Sequence, residues 1–165
     1  MKTLKEIEKL NKEFTKRFGL EINGFEQGSP EWRAVKLGVL SASNASKIVA
    51  KKGSQTRATY MAELVGQVAT GLMKELTAKP LEWGKNHEDA ARSAYEFQTD
   101  TKIEETLFIF KDKEFRAGCS PDGLILSKNR GTEIKCPYNT ENYIQSLVNE
   151  KIKPEYEWQC EPEHP

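Results

Sequence analysis

Between Thr106 and Cys136 the hydrophobic period of this chain changes from helical to strand-like, and that change limits the folds open to it. Four short β-rich runs occupy the stretch: Thr106-Leu107-Phe108-Ile109-Phe110, Phe115-Arg116-Ala117-Gly118, Leu124-Ile125-Leu126 and Thr132-Glu133-Ile134-Lys135-Cys136. Turn residues separate them at Asp112-Lys113, Pro121-Asp122-Gly123 and Asn129-Arg130-Gly131, a pattern that predicts an antiparallel meander. On both sides of it the period is helical. Leu4, Ile7, Leu10, Phe14 and Phe18 lie on one stripe that Gly19 would close. Ser29 and Pro30 open a short helix containing Trp32, and Ser41 or Ser43 can cap another running to about Ala50. After a loop at 51–54, helices are expected from about Arg57 to Leu76 and from about Pro80 to Phe97. Asn139 or Thr140 opens a helix through about Glu150, and a last one begins near Pro154. The order of helices, sheet, helices places the chain in the α/β class, in its α+β form.

A chain of 165 residues suits one domain with a real core. Its 25 basic and 25 acidic side chains cancel, so net charge indicates no polyanionic partner. Their distribution is uneven: residues 1–80 hold 14 Lys/Arg against 8 Asp/Glu, and residues 81–165 hold 11 against 17. A basic half could meet phosphates while an acidic half holds cations. The three cysteines, Cys119, Cys136 and Cys160, are odd in number and lack CxxC spacing, which fits a reducing compartment and reads as small buried hydrophobes. No apolar run reaches the length of about 18 residues needed to span a membrane, and the N-terminus alternates charge where a signal peptide would be apolar. The expectation is a soluble cytoplasmic protein.

The chemistry is concentrated at Ser120-Pro121-Asp122-Gly123 and, eleven residues after Asp122, at Glu133-Ile134-Lys135. In a strand, Glu133 and Lys135 share a face, and Asp122 reaches that face if the two strands pair as a hairpin. Carboxylate oxygens are the ligands hard Mg²⁺ prefers, and Mg²⁺ keeps waters that can attack a phosphodiester. Asp122, Glu133 and the backbone carbonyl of Ile134 would hold the metal. Lys135 would orient or deprotonate the water and help neutralise the transition state. Each element alone is generic, a turn aspartate or a strand Glu-x-Lys, and the signal lies in their combination. His87 and Glu88 are adjacent on a helix and point about 100° apart, so both facing one metal is not expected. Trp32, Trp83 and Trp158 could stack on bases, but each sits in an amphipathic pattern that favours core packing.

Six stretches occur in an order that resembles the phage lambda-type exonucleases, or YqaJ-like viral recombinases, of the PD-(D/E)xK nuclease superfamily. They are Glu31-Trp32, Leu37-Gly38-Val39-Leu40-Ser41-Ala42-Ser43, Glu82-Trp83-Gly84-Lys85-Asn86-His87-Glu88, Cys119-Ser120-Pro121-Asp122-Gly123-Leu124, Glu133-Ile134-Lys135-Cys136-Pro137 and Tyr156-Glu157-Trp158-Gln159. The resemblance spans roughly residues 25–160. It implies a restriction-endonuclease-like central mixed sheet flanked by helices over 25–160, and the amphipathic helix read from the apolar stripe occupies 1–24 before it. It adds Glu88 as a helical metal ligand completing a two-ion site for Mg²⁺, with Mn²⁺ suiting the same oxygens, and Gln159 as an active-site residue. It also implies a 5′-phosphate pocket containing Ser43, with Ser120 a weaker candidate. Lys36 stands where the family has arginine, which keeps the charge but loses the planar fork, so phosphate binding would be organised differently.

The function so implied is 5′-to-3′ degradation of double-stranded DNA ends for phage-type recombination in a bacterial host, alongside a single-strand annealing protein. Family members continue well past the glutamine motif, whereas this chain ends six residues after Gln159 in the proline-containing tail at 161–165. The expectation is a C-terminally truncated product, with the family's ring-shaped homotrimer in doubt. Two alternatives follow. A catalytically impaired DNA-end binding or assembly subunit would bind ends without turnover, and a restriction-type or Cas4-like enzyme would, in the first case, cut closed circles and, in the second, need a fourth cluster cysteine.

Overall fold

The computed structural model describes residues 2–22, 25, 28–74, 78–106, 108–150 and 152–160. Two compact units divide the chain: one holds residues 75–106 and 121–154, the other 2–74, 107–120 and 155–165.

The second unit is built on helix α1, Leu4–Phe18. Thr3 caps it in a reciprocal capping box with Glu6, and the N–H of Gly19 closes it on the carbonyl of Thr15. The stripe read from the sequence buries Ile7, Leu10 and Phe14. Helix α2, Pro30–Lys36, begins at Ser29, whose hydroxyl accepts from the N–H of Trp32 at 3.1 Å. Strand β1, Leu40–Ser41, runs parallel to β3, Ala117–Cys119, and β2, Ile109–Phe110, pairs antiparallel on the other side of β3. Leu10, Phe14, Ile22, Val35, Val39, Phe108, Phe110 and Phe115 form the core over this small mixed sheet. Gly118 in β3 is required there, because a Cβ would collide with the Phe108 ring and the carbonyl of Ile109.

The first unit consists of α5, Lys79–Thr99, the hairpin of β4, Gly123–Ile125, with β5, Arg130–Thr132, and α6, Thr140–Asn149, which follows Asn139 as expected. Leu124 and Ile125 are buried, and Glu104 exchanges two backbone hydrogen bonds with Leu124, both 2.8 Å.

Several sequence expectations are corrected. The four β-rich runs do not form one meander: β3 and β4 belong to different sheets, and β3 instead pairs with β1, contributed from about 75 residues earlier. Leu126 lies in a 3₁₀ turn, Leu126–Lys128, and β5 stops at Thr132, short of Glu133-Ile134-Lys135-Cys136. Leu107 lies outside the described residues. Helix α4, Gln55–Thr70, ends well before Leu76 because Gly71 adopts φ 69°, a left-handed stop; residues 75–77 lie outside the described residues. Neither Ser41 nor Ser43 caps the helix α3, Ala45–Ile48. Ser41 is committed to β1, Ser43 lies inside the 3₁₀ turn Ala42–Asn44, and their hydroxyls hydrogen-bond each other at 2.5 Å. Cys119 and Cys136 are only half-buried, Cys160 is exposed, and no disulfide joins any of the three. Trp83 and Trp158 are 38% and 37% exposed rather than in a core, because α5 and the final helix α7, Pro154–Cys160, bury none of their described residues. No helix among the described residues is long and apolar enough to cross a membrane.

Candidate active site

The hairpin of the first unit carries Asp122 immediately before β4 and Glu133 immediately after β5. The backbone N–H of Asp122 donates to the carbonyl of Thr132 at 3.0 Å, and its Oδ2 accepts from the N–H of Ile134 at 2.5 Å. The aspartate is thereby fixed against the chain that follows β5. The ammonium of Lys135 donates to a carboxylate oxygen of Glu133 in an ion pair, so the two side chains meet even though the strand ends before them. That pair is expected from strand alternation and is achieved beyond the strand.

Glu88 approaches from the middle of α5. Burial, then the charge of Asp122, holds its carboxyl above the usual range, opposed by Arg92 one helical turn on. The guanidinium of Arg92 donates to Glu88 at 3.1 Å and to Glu105 at 2.5 Å. The thiol of Cys136 is pushed up by burial and by the charges of Glu88 and Asp122. Glu88 and Cys136 are thus both within electrostatic reach of the Asp122 carboxylate, and each charge there disfavours ionisation of its neighbours. Glu88 also yields a stability prediction. Its folded pKa is raised, so its ionisation costs stability as pH rises above the unfolded value near 4.5. In chelator-treated protein, the difference in melting temperature between Glu88→Gln and the parent should move in favour of glutamine from pH 4 to pH 7. A constant difference across that range would contradict it.

The donor set suits a hard divalent cation: two or three carboxylates, a backbone carbonyl at Ile134, and charge that such an ion would relieve. Among the described residues, no three His, Cys, Asp or Glu side chains are gathered as metal ligands. Glu88 and Glu133 each lean on a cationic neighbour, and Asp122 on a backbone N–H. The residue types fit the ion, while the side chains are arranged for a state in which Arg92 and Lys135 supply the positive charge. His87 is engaged elsewhere: its Nδ1 lies 2.8 Å from the carbonyl of Trp83, and its ring stacks on that indole at 3.7 Å.

Lys36, Ser43, Ser120 and Gln159 belong to the second unit. Gln159 is half-buried on α7. Ser43 and Ser120 each follow by two residues the parallel pair Ser41 and Gly118, so the register puts them at the same end of the sheet. The amine of Lys36 lies 3.7 Å from the centre of the Trp32 ring, and burial lowers its pKa to about 8. Beside it the indole Nε1 of Trp32 is buried with no hydrogen-bond partner among the described residues. An under-solvated amine beside an unused N–H donor suits an anion.

Three contributors went unassigned in the sequence reading. Arg92 stands four residues after Glu88, the spacing at which a helical Glu and Arg meet, and that was the available signal. Trp32 and Lys36 have the same spacing. Cys136 carried no signal beyond its place after Lys135.

The sequence model of the YqaJ-like viral recombinase domain matches residues 31–163, which takes in every one of these side chains. The chain belongs to this family. Among solved structures, the YqaJ-like chain is similar to an alkaline exonuclease, LHK-Exo, from Laribacter hongkongensis, at 34% identity and a TM-score of 0.71. That match covers 79% of this chain and 64% of the exonuclease. The same exonuclease in complex with dAMP matches at 35% identity and a TM-score of 0.69, with coverage of 79% and 65%. The α+β fold is thus shared with an exonuclease of which this chain spans just under two thirds. No curated protein matches the chain.

Proposed function

We propose that this YqaJ-like chain is a Mg²⁺-dependent deoxyribonuclease that degrades duplex DNA from its ends, 5′ to 3′, in phage-type recombination. The observation that carries this reading is the placement of Asp122 and the Glu133-Lys135 pair at one end of a hairpin, with the Asp122 charge felt by Glu88 on α5. A bound Mg²⁺ would supply a polarised phosphoryl oxygen and an acidified water. Asp122, Glu133 and the Ile134 carbonyl would hold it, with Glu88 serving a second ion. The amine of Lys135 would leave Glu133 for the attacking water or the developing phosphorane charge. Gln159 is proposed as a further contact to substrate. In the similar LHK-Exo the bound molecule is dAMP, and nucleoside 5′-monophosphates are the products proposed here. The test is release of mononucleotides from linear duplex with Mg²⁺ or Mn²⁺, beside closed circular DNA. Cleavage of circles, or release that continues in chelator, would sink the reading.

Lys36, Ser43, Ser120 and, newly, the Trp32 N–H are proposed to hold the 5′-phosphate. The lowered pKa of Lys36 makes this checkable. Its amine is charged below about pH 8 and neutral above, so the preference for 5′-phosphate over 5′-hydroxyl ends should be full at pH 7 and fall towards pH 9. Lys36→Arg should keep the preference across that range, because arginine stays charged. Comparing the two ends at each pH cancels any general effect of pH on the reaction. An equal fall in both proteins would exclude Lys36 as the source.

One observation favours a second reading, an end-binding subunit without turnover: among the described residues the carboxylates are paired with side chains or backbone rather than gathered as ligands. Such a protein would bind duplex ends with steep salt dependence and release no nucleotide under any divalent ion.

A further inference from the structure

The nuclease reading leaves one strongly placed group without a task. Arg92 is half-buried, with its side chain 14% exposed, yet it lines no core. One Nη donates to Oε1 of Glu88 and the other to Oε1 of Glu105, while its Nε is buried with no hydrogen-bond partner among the described residues. A buried donor left unsatisfied costs stability, and a simple surface ion pair would offset little of that cost. The two carboxylates it joins differ. Glu105 is 78% exposed and forms the solvent end of this ion-paired chain, whereas Glu88 is 26% exposed and feels the charge of Asp122. In both contacts Arg92 engages a single oxygen, and at Glu88 this leaves Oε2 uncommitted to the guanidinium.

The geometry points to Arg92 as a positioning residue for a divalent cation, with Glu105-Arg92-Glu88 forming an outer layer that fixes one oxygen of Glu88 and presents the other to the centre at Asp122. The inference rests on the proposed cation site at Glu88. Its logic is that of hydrogen-bonded partners behind metal-binding carboxylates: they fix the rotamer, so that the ligand does not lose side-chain freedom when the ion arrives. An arginine suits the task, since its rigid fork reaches two carboxylates at once. The position at i+4 from Glu88 sets the distance without any loop having to be ordered. Glu105 is needed because it holds the other arm and keeps the guanidinium from following Glu88 towards the ion.

The experiment is direct Mn²⁺ binding to the DNA-free protein, read by the loss of the free-ion paramagnetic resonance signal. Arg92→Gln is expected to weaken binding about 10- to 100-fold. Arg92→Lys should recover part of the loss, and Glu105→Gln should weaken binding by a smaller factor in the same direction. In cleavage assays the deficit of Arg92→Gln should appear as a higher Mn²⁺ requirement, and saturating metal should restore most of the rate. A merely structural arginine would lower the rate at every metal concentration. Unchanged affinity in a folded Arg92→Gln overturns the inference. If that variant does not fold, Glu105→Gln decides: on an exposed side chain it leaves the fold intact, and parental Mn²⁺ affinity there overturns the inference equally. Parental protein that binds no Mn²⁺ also overturns it. Binding that falls as described in a protein that releases no nucleotide supports the inference while the nuclease reading fails.

Discussion

Asp122→Asn is expected to lower nucleotide release by at least about 10²- to 10³-fold, while the melting temperature moves by less than about 3 °C. The two expectations come from separate roles of one side chain. As a charge, Asp122 is the carboxylate that Glu88 and Cys136 respond to, and it is the first proposed ligand. As an acceptor it holds the N–H of Ile134 at 2.5 Å and locks the exit of β5. Asparagine keeps a carbonyl oxygen for that N–H and removes only the charge. Alanine removes both, and leaving the Ile134 N–H unsatisfied should cost a further 1–3 kcal/mol or about that. Measured together by Mn²⁺ titration, nucleotide release and thermal melting, the two variants separate chemistry from scaffolding. Full activity in Asp122→Asn would remove the carboxylate from the mechanism.

The sequence made this part of the site legible because its logic is local. Two short strands joined by a turn place Asp122 beside Glu133 through hairpin pairing alone, in the register Gly123 to Thr132, although the turn is Leu126–Asn129 and Arg130 and Gly131, expected in it, pair within the second strand. Glu88 came only from the family resemblance, since nothing local tells an active-site glutamate on α5 from a solvated one. Arg92 at the next turn was a readable clue that was not used. The failures are of another kind. That β3 would pair with β1 rather than β4 depends on a partner about 75 residues away, which no periodicity of the intervening chain encodes. The early end of α4 was encoded, in Gly71, but the apolar residues beyond it extended the helical pattern. Trp83 and Trp158 misled because an amphipathic stripe predicts which face is apolar without saying whether anything covers it.

Phe110→Ala is expected to cost about 3–5 kcal/mol, against a total of about 5–15 kcal/mol for a domain. Phe110 is fully buried, stacked on Phe14 at 4.6 Å and edge-on to Phe108 and Phe115 at 5.0 and 5.1 Å. Its loss removes the ring that joins α1 to the sheet, and three neighbouring rings cannot all move to fill the space. Phe18 provides the control. It also touches Phe14 and Phe115, at 4.7 and 5.9 Å, but is 49% exposed, so its replacement by alanine leaves no closed cavity and should cost less than half as much. The midpoints of urea unfolding report the comparison, and equal shifts would mean that aromatic contact rather than burial sets the cost. The loss at Phe110 also reaches function. Phe110 pairs with Gly118 in β3, and β3 in turn pairs with β1, so the same sheet carries Ser43 and Ser120 at its end. Loosening that sheet should reduce the preference for 5′-phosphate ends in the still-folded variant, because the proposed anion donors depend on the register that the aromatic core maintains.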